Sequence, residues 1–154
     1  MPSLNLFATV LPGWVRDPSL LKPAAKLWNA LPPPYRHLLN ALIWDTNRFH
    51  RFVMGPSSLS GHHNDREGNL RHSVEVAERA LALAAGDPVV CEEALILGAL
   101  LHDAGKADEY RLANRRLVLS DRGRLIGHRT TVIEWIAAAC TKHTWIFPMI
   151  TGWH

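Results

Sequence analysis

Residues 94–106 read ALILGALLHDAGK, and this stretch decides the predicted fold. Its first eight residues are uncharged and apolar nearly all round a helix, which is typical of a central buried helix. The helix ends at His102 and Asp103, and burying this pair costs several kcal/mol unless the two side chains are paired or bind a metal ion. The alternative is a helix end at which both side chains face water.

Two further histidines lie at predicted helix boundaries. A stripe of apolar residues at helical spacing, from Leu70 to Ala84, predicts one helix with His72 in its first turn. Another helix is predicted to open at His128. Side chains at such boundaries can point into a space shared between helices. Three imidazoles and one carboxylate would form a site for a divalent transition metal, namely Mn, Fe, Ni, Co or Zn.

The rest of the pattern is also helical. Most of the ten prolines lie in residues 1–36, which predicts a Pro-rich leader of turns and broken helices packed on a domain formed by residues 37–154. An amphipathic helix is predicted from about Arg36 to Val53. Residues 117–119 favour a short strand, but no second strand is predicted to pair with it. We therefore expect an all-α fold.

Composition excludes several classes of protein. The chain has 154 residues, of which 47% are hydrophobic and 20% charged, as in a soluble globular domain and unlike collagen, a coiled coil or a disordered chain. Cys91 and Cys140 lie far apart in apolar stretches, so we expect free thiols in the cytoplasm. No uncharged apolar run approaches the roughly 20 residues that span a bilayer, so no membrane partner is expected.

The order of the motifs resembles a known family. His72, the run from His102 to Lys106, and Gly127-His128 resemble the HD superfamily of metal-dependent phosphohydrolases, whose ligands follow as His, His-Asp and a distant Asp. The resemblance runs from about Ser57 to Ala139. Finer features are similar to the branch with bacterial 3′-to-5′ exoribonucleases and the HD domain of TraI-type conjugative relaxases; they are His62-His63, Gly68, Leu70, His72-Ser73, and the run from Gly123 to His128.

The resemblance implies an HD-like helical bundle and a role for each motif residue. His72, His102 and Asp103 would hold one metal ion, and Asp103 would bridge to a second ion held partly by His128. Lys106 would be catalytic together with Asp103, stabilising negative charge on the phosphoryl group. His62 and His63 would touch the substrate phosphate, with simple exposure as their alternative.

The C-terminal part departs from the family pattern. No acidic residue follows Lys142, so the last Asp ligand of the family has no counterpart. We therefore expect an HD domain that is incomplete at its C-terminal end. Exposed apolar residues there would allow oligomerisation; they are Trp145, Ile146, Phe147 and Trp153.

An arginine-rich segment lies between Lys106 and Arg129. It holds seven cationic residues against three acidic ones, in a chain whose net charge is +3. Arginines such as Arg124 and Arg129 would bind phosphates of a nucleic-acid backbone. The alternative is a solvated loop with local ion pairs.

Two functions remain open. The first is a metal-dependent phosphohydrolase or phosphodiesterase that uses a metal-activated water on a nucleic-acid or nucleotide phosphate ester. The second is a catalytically incomplete HD-like module that binds nucleic acid or partner proteins in a conjugative-transfer complex. The ligand set favours the enzyme, whereas the absent Asp and the arginines favour the binding module.

Overall fold

The computed structural model describes residues 4–44, 46–60 and 64–143. This part of the chain is mostly helical, which confirms the predicted all-α, HD-like class. The α-helices in chain order are α1 (Leu21–Ala30), α2 (Pro33–Ile43), α3 (Thr46–Met54), α4 (Gly68–Ala84), α5 (Glu92–Leu101), α6 (Lys106–Glu109), α7 (Asp121–Leu125) and α8 (Gly127–Lys142). Short 3-10 helices precede α1 at Leu6–Thr9, Pro12–Trp14 and Pro18–Leu20.

The N-terminal residues contribute to the same core as the later helices. Leu6 and Phe7 are each 1% exposed. The ring of Phe7 meets that of Phe49 edge-on, with 5.9 Å between the ring centroids. α2 begins at Pro33, because proline suits the first position of a helix, where its missing N–H would have had no partner. The division into residues 1–36 and 37–154 stays a prediction.

The single helix predicted from about Arg36 to Val53 is wrong, because the structure has two helices there. α2 ends at Ile43, and Trp44 leaves the helical conformation with ψ at 67°. Arg48 of α3 donates from Nη1 to the carbonyl oxygen of Leu42 at 2.6 Å. This bond satisfies one of the carbonyl groups left open at the end of α2, so it stabilises the break.

The centre of the fold is the packing of α5 against α4. Leu70 and Val74 of α4 are buried, as are Ile96 and Leu100 of α5. The prediction of a helix buried nearly all round is only partly correct, because α5 leaves Ala94 and Gly98 exposed. The interface places the start of α4 beside the end of α5.

A β-hairpin was missed by the sequence analysis. β1 (Tyr110–Ala113) pairs antiparallel with β2 (Arg116–Leu119), which contains the predicted strand residues 117–119. Asn114 and Arg115 form the two-residue turn with φ angles of 49° and 62°. Positive φ at both positions matches the right-handed twist of the paired strands. Arginine stands where glycine is the usual signal, so the turn was not recognised.

Two further findings concern the thiols and the membrane. Cys91 and Cys140 are both free thiols, as predicted. Among the helices that the structure describes, none combines the length and apolar character needed to cross a bilayer.

Candidate metal centre

Predicted site residues come together where α4, α5 and α8 meet. His72 lies one turn into α4, slightly later than the predicted first turn, while His102 and Asp103 directly follow α5. The Nε2 atoms of the two histidines are 3.3 Å apart. Oδ2 of Asp103 is 3.4 Å from Nε2 of His72 and 3.5 Å from Nε2 of His102. These three side chains form a group able to hold a metal ion.

The spacing of these three atoms fits a shared ion. Two ligand atoms bonded at about 2.1 Å to one metal lie about 3.0 Å apart at a right angle and about 3.4 Å apart at the tetrahedral angle. The observed separations of 3.3, 3.4 and 3.5 Å are close to the edges of such a coordination shell. Imidazole nitrogen and carboxylate oxygen are also donors that divalent transition metals accept.

The orientation of His102 is set by its own helix. Its Nδ1 lies 2.8 Å from the carbonyl oxygen of Ala99, one turn back in α5. A carbonyl oxygen only accepts, so Nδ1 carries the proton and Nε2 is left as the ligand atom. The side chains of His72 and His102 are 31% and 37% exposed, so this side of the centre is open to a substrate.

Asp103 presents its two oxygens to different groups. Oδ2 faces His72 and His102, while Oδ1 lies 3.2 Å from Nε2 of His128 at the start of α8. The carboxylate therefore stands between the predicted ligands of a first and a second ion. This is the arrangement that a bridging ligand requires.

Asp103 is buried, with only 7% of the residue exposed. Burial opposes ionisation of the carboxyl group, but the hydrogen bond and the positive charge of Lys106, together with the electrostatic interaction with the neighbouring imidazoles of His102 and His128, outweigh it. The pKa of Asp103 is therefore below its ordinary value. The group is an anion at neutral pH, which is the form that binds a cation.

Glu109 is a site residue that the sequence analysis missed. Its Oε2 lies 3.2 Å from Nδ1 of His128. A carboxylate only accepts, so this contact places a proton on Nδ1 and directs Nε2 toward Asp103. Tyr110 also hydrogen-bonds Glu109, and burial together with the charge of Glu109 raises the pKa of Tyr110 to about 12. Glu109 lies in a charge-rich stretch, which gave no signal of this role.

Two glycines allow the segments of the centre to approach closely. A Cβ atom on Gly105 would lie 2.1 Å from the carbonyl oxygen of His128. A Cβ atom on Gly123 would lie 2.3 Å from the carbonyl oxygen of Glu109. Real Cβ atoms do not approach backbone oxygen so closely, so only glycine fits at either position. The glycines after His102-Asp103 and before His128 thus bring these ligand segments together.

Lys106 contacts the same carboxylate oxygen that faces His72 and His102. Its Nζ donates to Oδ2 of Asp103 at 2.7 Å and to Oγ of Ser57 at 3.3 Å. Asn69 donates from Nδ2 to the backbone oxygen of Asp103 at 3.4 Å. Ser57 and Asn69 were not predicted as site residues, because a serine in a loop and an asparagine at a helix start are common without a functional role.

Two of the predicted substrate-binding residues, Arg124 and Arg129, are exposed on α7 and α8. Arg124 pairs with Asp121 on α7, and its side chain is 63% exposed. Arg129 is exposed on α8 next to His128. For Arg122, which pairs with Glu134, and for Arg124, the local ion pairs agree with the alternative of a solvated segment. His62, His63 and the C-terminal apolar patch at residues 145–153 lie outside the described residues.

The fold and the centre define the class of this chain as a helical domain with a cluster of His and Asp side chains that could hold a metal ion. Residues 69–145, half of the chain, match the family model described as HD domain. The chain belongs to the HD domain family. HD domains bind divalent metals and are typically metal-dependent hydrolases. Neither the curated proteins nor the solved structures include a significant match.

Proposed function

We propose that this protein is a metal-dependent phosphohydrolase or phosphodiesterase that acts on a nucleotide or nucleic-acid phosphate ester. The observation that carries the proposal is the position of Asp103, which faces His72 and His102 with one oxygen and His128 with the other. A bound divalent metal supplies Lewis acidity, which lowers the pKa of water toward neutrality and offsets the charge of phosphate.

The residues of the chain would then have separate roles. His72, His102 and Asp103 would hold one ion, and Asp103 and His128 would contribute to a second. Glu109 would keep Nε2 of His128 pointed at the centre. Lys106 would stabilise negative charge on the phosphoryl oxygens or on the leaving oxygen, since its ammonium group lies beside Asp103.

The test is metal content followed by hydrolysis. The untagged protein is expressed with Mn and Fe present, purified without chelators, and analysed for its elements. We expect one or two ions per chain and hydrolysis of bis(p-nitrophenyl) phosphate, because the spacing of the ligand atoms fits an ion. A chain that folds, contains no metal and hydrolyses no phosphate ester would contradict the proposal.

The variant Asp103→Asn tests whether hydrolysis and metal binding depend on the candidate centre. Removing the anion should abolish hydrolysis and lower the metal content, while the helical circular-dichroism signal is retained. Asp121→Asn is the matched control, because it makes the same change on a side chain that is 79% exposed on α7. The control should keep the activity of the unmodified protein.

A nucleic-acid-binding module is the second candidate. The specific observation in its favour is that three arginines of the hairpin are exposed, namely Arg111, Arg115 and Arg116. Such binding would weaken steeply with salt. If Asp103→Asn leaves this salt dependence unchanged and the protein hydrolyses nothing, binding is the better description.

A further inference from the structure

A cavity of about 730 Å³ lies between the end of α3, α6 and the hairpin. Lys106 is part of its wall, and the same ammonium group donates to Asp103. The cavity therefore adjoins the metal centre through a shared residue. Its volume falls within the range of about 300 to 1,000 Å³ that is typical of small-molecule sites.

The hairpin turns an apolar face to this cavity. Leu112 of β1 stands directly opposite Leu117 of β2, so the two side chains lie on the same face of the hairpin. Both line the cavity, although they are 70% and 44% exposed. Tyr110, two residues before Leu112, lines it as well, and Met54 and Pro56 form part of the opposite wall.

The charged groups of the cavity are all cationic. Lys106, Arg66 and Arg111 line it, and no Asp or Glu side chain does so among the described residues. Arg51 lines it as well and pairs with Asp108, as Lys106 pairs with Asp103, and Nε of Arg66 lies 3.9 Å from Oε1 of Glu67. A ligand that fits this wall has an apolar, planar part for the leucines and the tyrosine, and an anionic part for the cations.

We propose that this cavity binds the base of a nucleoside phosphate whose phosphate ester lies at the metal centre. The inference rests on the proposed function and deepens it, because it makes Leu112 and Leu117 determinants of substrate specificity. A base has an apolar face that can pack against aliphatic and aromatic side chains. The phosphate attached to it would lie toward Lys106, the residue that the cavity and the centre share.

Equilibrium binding by titration calorimetry tests the base contact. The probes are adenosine 5′-monophosphate and ribose 5-phosphate, which carry the same phosphate with and without a base. We expect the nucleotide to bind about tenfold more tightly, as for a stacked base. In Leu112→Ser/Leu117→Ser this preference should fall to about twofold or less, while ribose 5-phosphate binds as before. Equal binding of the two probes to the unmodified protein would overturn the inference.

Leu125→Ser is the matched control, because Leu125 is 84% exposed on α7 and does not line the cavity. It should keep the full preference for the nucleotide, and a loss there equal to that of the hairpin variant would also overturn the inference. A single-stranded adenylate pentamer is the third probe. Tighter binding of the pentamer than of the mononucleotide would identify a strand terminus as the source of the base, and the reverse would identify a free nucleotide.

The inference and the proposed function fail in different ways. Base-dependent binding by a protein that contains no metal and hydrolyses nothing would support base binding in the cavity and contradict the proposed hydrolytic function. Hydrolysis together with equal binding of adenosine 5′-monophosphate and ribose 5-phosphate would support the proposed hydrolytic function and contradict base binding in the cavity.

Discussion

Glu109 shows how a side chain without a recognisable motif can decide the state of a ligand. It accepts the Nδ1 proton of His128, so the opposite nitrogen of that ring faces Asp103. The carboxylate also makes the imidazole a stronger donor to a cation. We therefore treat Glu109 as a positioning residue that acts through His128.

Replacing Glu109 by glutamine should weaken the centre without unfolding the chain. Loss of such a partner typically lowers metal affinity or activity about 10- to 100-fold. We expect Glu109→Gln to need a higher Mn concentration for half-maximal hydrolysis and to keep a thermal midpoint close to that of the unmodified protein. Glu78→Gln, an exposed change on α4, is the control. An unchanged Mn requirement would show that Glu109 has no positioning role.

Gly105 and Gly98 differ in the space that an added Cβ atom would meet. Gly105 contacts the backbone of His128, whereas Gly98 on α5 has no atom within 4 Å of an added Cβ. Gly105→Ala should cost about 1 to 3 kcal/mol of unfolding free energy through overpacking. Gly98→Ala should instead stabilise by about 0.5 to 1 kcal/mol, since alanine is the better helix former. Urea unfolding measures both, and equal effects would refute the close contact at Gly105.

Among the elements, the hairpin between α6 and α7 departs most from the sequence analysis. Its second strand was recognised but its first was not, because Tyr110 to Ala113 lies in the arginine-rich segment and Arg115 stands at a turn position where glycine is usual. The break between α2 and α3 was missed for a related reason. Apolar residues keep helical spacing across it, and the contact of Arg48 with Leu42 that stabilises it belongs to the folded chain.

The turn of the hairpin holds Arg115 in an unfavourable backbone conformation. Arg115 has φ at 62°, a left-handed conformation that costs a residue with a Cβ roughly 1 kcal/mol. We expect Arg115→Gly to stabilise the protein by about 0.5 to 1 kcal/mol in urea unfolding. Arg116→Gly, one position later in β2, should destabilise it, since glycine weakens a strand. If both changes destabilise the protein, Arg115 does not have the left-handed backbone conformation described above.

At the scale of the molecule, the centre joins segments that are distant in sequence. His72 belongs to α4, Asp103 follows α5 and His128 lies in the first turn of α8. A ligand that binds only the folded state stabilises it by about 2.7 kcal/mol at a concentration 100 times its dissociation constant. We expect Mn to raise the thermal midpoint and a chelator to lower it. In Asp103→Asn neither addition should shift the midpoint, and a full shift there would place the ion elsewhere.

The candidate ligands were accessible to sequence reasoning because each lies close to the start or the end of a segment with apolar residues at helical spacing. Helix boundaries place side chains in shared spaces, and His102-Asp103 at the end of an apolar run demanded partners. Glu109 was not accessible, because its contact with His128 arises only when Gly105 and Gly123 let α6, α7 and α8 approach. The roles of His62, His63, Arg124 and Arg129 toward a substrate stay predictions.

The backbone contact at Gly105 also bears on how the chain tolerates change. The separation between Asp103 and His128 is set by two segments that touch, and not by the number of residues that connect them. The hairpin lies between α6 and α7, so the chain leaves the centre after α6 and returns to it through α7. Insertions or replacements near its turn can therefore alter which molecules reach the adjoining cavity, while the candidate metal ligands keep their positions. We therefore expect changes in the hairpin to alter the choice of substrate without moving the candidate metal centre.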